Sequence, residues 1–112
     1  MMKRYCFTID LVDDENKILE YEGHHQRVWP EVEASFKRAG IETLELYRTG
    51  NRLFMLFDTD ESFSLEDKAQ IDATDPVVVK WEKLMSSYQQ AIPGSTNKWT
   101  ILKKIYSFSK PG

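Results

Sequence analysis

From residue 3 to residue 11 the chain alternates. Tyr5, Phe7, Ile9 and Leu11 fall on one side and Arg4, Cys6, Thr8 and Asp10 on the other, the period of two that marks a strand. Asp13 and Asp14 then stand as helix N-caps before a stretch that stays helix-compatible to His25 or Gln26. Ile18, Tyr21 and His25 share one face of it, at spacings of three and four. Pro30 interrupts, because proline disfavours helix at the residue before it and suits a first turn after it. The pattern therefore predicts a break over residues 27–29 and a second helical segment over residues 30–39, closed by Gly40.

Two strands follow, residues 41–49 and 52–59, joined by Gly50-Asn51, a two-residue turn whose leading glycine suits type II′. The second is apolar on both sides, with Leu53, Met55 and Phe57 against Phe54 and Leu56, as a central strand covered on both faces would be. Residues 63–73 read as helical and more polar. Asp75 and Pro76 start another helix as N-cap and first residue, with Val77, Trp81, Leu84, Met85 and Tyr88 as its apolar stripe. A loop over residues 92–97 leads to a last strand over residues 99–108, and residues 110–112 read as a frayed end. The order β-α-β-β-α-β is the ferredoxin-like plan, an α+β fold with a four-stranded antiparallel sheet and helices on one face. The other face carries Leu, Phe and Tyr residues, and exposing so much apolar sheet would be costly. A second copy of the chain is the economical cover, so the expectation is a homodimer, a dimeric α/β barrel.

The 112 residues suit a single domain, residues 1–112, large enough for a core without disulfide or metal staples. Fifteen Lys and Arg against eighteen Asp and Glu leave a net charge of −3. That speaks against duplex nucleic acid or an anionic membrane as partner, since both need a concentrated positive face. No apolar run reaches the roughly 18 residues that span a bilayer, and acidic residues begin at Asp10, before any signal-like segment. Cys6, the only cysteine, cannot close an internal disulfide and reads as a buried reduced thiol, which favours the cytoplasm. The aromatic share, 12%, opens a further question, because aromatic residues fill cores but also line pockets for small ligands.

Only two histidines occur, side by side at His24 and His25. Imidazole is the side chain that gives and takes a proton near neutrality without being perturbed. Neighbours on a helix diverge by about 100°, so the two rings should not serve one site, whereas Tyr21, four residues before His25, can converge with it on a small ligand. The structural alternative is one exposed histidine and one packed at a helix end. No HxxxH or CxxC spacing points to a metal, nothing brings Cys6 to a histidine as a nucleophile, and no glycine-rich phosphate cradle is present. Neither metal nor cofactor is expected. Trp29, in the expected break, reads equally as a hydrophobic plug or a ligand contact. Trp81 reads as core, yet Glu82 follows it, and an apolar ring beside a carboxylate suits a sugar, whose C–H patches lie on aromatic faces and whose hydroxyls seek polar groups. The acidic residues at 13–15 and 58–61 read as solvated caps and turns.

The block Glu20, Tyr21, His25, Trp29, Pro30 and Glu31 resembles the L-rhamnose mutarotase family. The likeness runs along nearly the whole chain, through Lys37 to Gly40, the strands around Tyr47 and Phe54, and Trp81, Lys83 and Met85. It implies a small cytoplasmic homodimer of ferredoxin-like fold that interconverts the α and β anomers of 6-deoxy-L-sugars without a cofactor. By the same likeness His25 is the catalytic histidine, Tyr21 a substrate-contacting tyrosine, and Trp81 the first of two neighbouring tryptophans that hold the sugar. Two positions depart from the family pattern: the second tryptophan is Glu82 here, and a tyrosine on the second strand is Leu44. Both departures bear on which sugar binds. The stretch from Tyr47 to Met55 looks like the branch of the family associated with L-fucose, so L-fucose is expected ahead of L-rhamnose.

Mutarotation opens the cyclic hemiacetal, lets the aldehyde carbon turn, and closes the ring on its other face. One group protonates the ring oxygen while another removes the proton of the anomeric hydroxyl, and the roles reverse on closing. A positioned acid–base group contributes about 10²–10⁴-fold. The expected parts are His25 as proton donor, Tyr21 placing a sugar hydroxyl, Trp81 supporting the ring, and Glu82 accepting a hydroxyl hydrogen bond or assisting as base. Two other readings fit the same architecture. One is a small dimeric monooxygenase acting on a polycyclic or haem-like substrate, since fold does not fix chemistry; the other is a non-catalytic sugar-binding dimer.

Overall fold

The alternating N-terminal segment forms β1 (Lys3–Leu11), followed by α1 (Glu15–His25), α2 (Pro30–Ala39), β2 (Ile41–Thr49) and β3 (Arg52–Thr59), then α3 (Leu65–Thr74), α4 (Pro76–Ser86), β4 (Gln89–Gln90) and β5 (Thr100–Ile101). This is a computed structural model in which residues 2–111 are described; Gly112, the last residue of the expected frayed end, lies outside the described residues. The strands pair antiparallel in the order β2-β3-β1-β4, with β5 also on β1, so β3 is central as its two apolar sides require. The helices cover the face that carries Tyr5, Phe7, Ile9 and Leu11, where Ile9, Leu11, Leu53 and Phe57 are buried against them.

Local chemistry explains the punctuation. Asp14 caps α1 by accepting from the Lys17 N–H at 3.1 Å. Trp29, held extended as a residue before proline must be, leads into Pro30 as the first residue of α2. Gly40 ends α2 at φ +96°, where a Cβ would also come within 2.7 Å of an Asp60 carboxylate oxygen. Gly50 has φ +56° and no other residue type has positive φ among the described residues, the signs of a type II′ turn. Asp75 both ends α3 and caps α4, its carboxylate accepting from the Val77 N–H at 3.0 Å and from Arg38 Nη2 at 3.0 Å.

The structure corrects four expectations. The last strand is two residues long, not ten: after Leu102 N–H donates to the Cys6 carbonyl at 2.8 Å, residues 103–111 leave the sheet. Extending the pairing of Thr8 with Thr100 and Phe7 with Ile101 would set Lys104 opposite Arg4, and like charges directly opposed are unfavourable. The remaining edge of β1 is filled by β4, whose two glutamines carry no hydrophobic signal. On α4 the buried stripe is Val78, Trp81 and Met85, with Val77 only half-buried and Tyr88 beyond the helix end. Cys6 is half-buried on the open face of the sheet, not buried. That face is also less apolar than expected: Phe54, Leu56 and the exposed Tyr47 share it with ion pairs of Arg4 to Asp58 and Arg52 to Asp10. Among the described residues no helix is long and apolar enough to cross a membrane.

Candidate active site

A cavity of about 910 Å³ opens between the helices and the β2 side of the sheet, and Tyr21, His25, Leu44, Trp81 and Glu82 all line it. Its volume is in the range that takes small ligands. The five expected residues thus share one hollow, although they come from three elements.

One wall is aromatic. Tyr21 and His25, one turn apart on α1, bring their rings to 4.6 Å, and Trp81 from α4 meets His25 edge-on at 5.6 Å and Trp29 at 5.0 Å. The helix break at residues 27–29 is what lets Trp29 reach Trp81, so its packing role is the one realised. His25 Nδ1 lies 2.8 Å from the Tyr21 backbone oxygen. A carbonyl only accepts, so Nδ1 carries the proton and Nε2 presents a bare lone pair. Burial pushes the imidazole below its ordinary value, against the raising effect of that hydrogen bond and with a smaller lowering from His24. Tyr21, pushed up by burial, stays a phenol; its oxygen accepts from Gln89 Nε2 at 3.2 Å, leaving its own O–H to donate. His24 turns to the Tyr88 hydroxyl at 3.3 Å, and Tyr88 in turn donates to Glu20 at 3.0 Å. Both histidines are half-buried, so neither is the exposed one of the structural alternative. Both rings approach Trp81, but their polar partners differ.

A second part of the lining is charged. Glu82 stands at the rim, exposed on its outer side. Its carboxyl is pushed up, first by partial burial and then by the charge of Asp72. Asp72, on α3, is buried and pairs with Lys68 one turn earlier, and both line the cavity. Leu44 reaches this hollow through an irregularity. The β2–β3 register shifts between Ile41 and Thr43, a bulge that places Ile41 and Leu44, an odd number of residues apart, on the same helix-side face. Among the described residues no cluster of three or more His, Cys, Asp or Glu is arranged to hold a metal ion.

Sequence reasoning missed Gln89, Lys68 and Asp72. The i,i+4 spacing of Lys68 and Asp72 was the one available signal, and it reads as an ordinary surface pair.

Comparison with known proteins gives a consistent result. The family model described as L-rhamnose mutarotase matches residues 4–108. An L-fucose mutarotase of Xanthomonas campestris pv. campestris is 43% identical, over 97% of this chain and 90% of that protein. The fold matches an L-rhamnose mutarotase structure from Formosa agariphila at TM-score 0.71 and 19% identity, covering 96% of this chain and 99% of that one. It also matches the tetracenomycin F2 cyclase of Streptomyces glaucescens at TM-score 0.66 and 12% identity, covering 97% and 99%. At these identities the two structural likenesses concern the fold alone.

Proposed function

The chain belongs to the L-rhamnose mutarotase family, and from that premise we propose that it interconverts the α and β anomers of a 6-deoxy-L-sugar, L-fucose ahead of L-rhamnose, by proton transfer at His25. The observation that carries this reading is the His25 ring itself: its Nδ1–H is committed to the Tyr21 carbonyl, and its Nε2 has no protein partner among the described residues, in an aromatic cavity. A neutral imidazole so held is a base. This favours His25 as the group that first takes the proton of the anomeric hydroxyl, the reverse of the donor role expected from sequence. As the bond between the anomeric carbon and the ring oxygen breaks, the anomeric C=O forms and the ring oxygen takes a proton from water. On closing, the former ring hydroxyl gives that proton back to water as its oxygen attacks the carbonyl carbon, the imidazolium returns its own proton to the carbonyl oxygen, and nothing is consumed. Tyr21 supplies a donor hydrogen bond, Trp81 and Leu44 the apolar walls, and Glu82 an acceptor for a sugar hydroxyl. The 43% identity to a protein named for L-fucose supports the order of sugars.

The same reading includes a cytoplasmic homodimer. Phe54, Leu56 and Tyr47 on the open sheet face and the residues after β5, where Ile105 is 90% exposed and Tyr106 and Phe108 are exposed with it, are apolar surface that a second copy would cover. The radius of gyration, 14.9 Å, exceeds the roughly 13 Å of a compact chain of this length, as a segment reaching outward requires. Sedimentation at micromolar concentration should give twice the chain mass; a monomer would remove this part of the reading. Saturation-transfer NMR of anomer exchange across L-fucose, L-rhamnose and D-sugars tests the activity. Acceleration is expected for the two L-sugars, greater for L-fucose. Binding without acceleration would make the protein a sugar-binding module instead.

A further inference from the structure

Asp72 is an awkward residue for a fold to keep. Its side chain is 7% exposed, and its Oδ1 is buried without a hydrogen-bond partner, the one such side-chain atom among the described residues. It lies in the last turns of α3, which has no basic residue at that end, so the helix dipole repels it. Its partner Lys68 precedes it by four, the less favourable orientation for a helical ion pair. Stability alone would not select this arrangement, and rules broken without local compensation concentrate at functional sites.

The position supplies a reason. Asp72 lines the same cavity as His25 and Trp81, and Lys68 neutralises it through Oδ2 only. Glu82, which is also an acceptor when ionised, sits beside it and follows Trp81 directly. The Glu82 carboxyl, pushed up by partial burial and in part by its hydrogen bond with Asp72, can share a proton with it; when both are ionised the pair calls for a donor between them, and a sugar hydroxyl is such a donor. We propose that Asp72, held by Lys68 and flanked by Glu82, is the acceptor that reads one ring hydroxyl of the sugar, away from the anomeric carbon that His25 serves. This rests on the mutarotase reading for the identity of the ligand, and goes beyond it in assigning specificity to a charged trio on α3 and α4. A site built to hydrogen-bond a hydroxyl discriminates strongly against the analogue lacking it, because its own buried acceptor is then left bare.

The test uses L-fucose and its 2-, 3- and 4-deoxy analogues, read both as kcat/KM by exchange NMR and as affinity by titration calorimetry. Wild-type protein should disfavour one analogue by about 10- to 100-fold, and Asp72→Asn should collapse that ratio alone, leaving the ratios for the other two hydroxyls in place. Glu82→Gln, at the exposed rim, serves as a second variant should the Asp72 variant not fold. Its amide can donate to the Asp72 carboxylate permanently and should lower the same ratio. Ratios unchanged in both variants, or a wild type indifferent to every deoxy position, would overturn the assignment. A wild type that binds with this selectivity but exchanges no anomers would fail the enzymatic reading while leaving the subsite standing.

Discussion

The two walls of the cavity are built on opposite terms. On the aromatic wall, Tyr21 and Trp81 are core residues as much as site residues: both are buried and belong to the main hydrophobic cluster with Ile9, Leu11 and Leu53. Packing that stabilises the fold also orients His25. On the charged wall, Asp72 keeps an unpartnered oxygen at the unfavourable end of a helix, an arrangement that packing alone does not favour. Where the demands of folding and of the site coincide, hydrophobic periodicity reveals both. Where they conflict, only the folded arrangement does.

The contrast can be tested by substitution. His25→Ala should cut anomer exchange by about 10²–10⁴-fold with an unchanged circular dichroism spectrum, and a wild-type rate would detach the aromatic wall from catalysis. Trp81→Ala should cost about 3–5 kcal/mol in urea unfolding, the usual range for truncating a buried large aromatic; a loss below about 1 kcal/mol would end the claim that core and site coincide there. Asp72→Leu should move stability by no more than about 1 kcal/mol, and upward, because it removes an unsatisfied buried charge while half-buried Lys68 can turn to solvent. A loss as large as that of Trp81 would make the charged wall structural after all. The smallest effect is in the pH profile. The folded value of His25 is depressed, so the fold prefers the neutral ring: that contribution is present above the unfolded value of roughly 6.5 and is lost as pH falls through the lower folded one. The acid limb of kcat/KM for exchange should therefore lie below pH 6.5 or so, and a limb above it would contradict the buried, neutral imidazole.

The same division explains what was legible in the sequence. Asp14, Pro30, Gly40 and Asp75 each act through local backbone chemistry, so the helix boundaries around the site follow from neighbours in the chain. Tyr21 and His25 share a face because helical spacing makes them do so. Leu44 faces the cavity only because of the register shift near Ile41, which depends on the partner strand. β4 is two glutamines whose pairing with Leu11 and Asp10 is tertiary. Lys68 and Asp72 look like a solvated pair until Phe36 and the neighbouring helix are placed around them, with Lys68 Nζ 5.9 Å from the Phe36 ring centre.

One residue ties the walls together. Asp75 closes α3 three positions after Asp72 and opens α4 six positions before Trp81, in a single extended conformation at φ −103° and ψ 108°, with Arg38 bracing it from α2. It is an elbow without a forearm of loop: there is no slack through which one helix can shift independently of the other. A change in its angle would carry the Asp72 carboxylate and the Trp81 indole together, so the spacing between the two is set by a corner rather than by either wall.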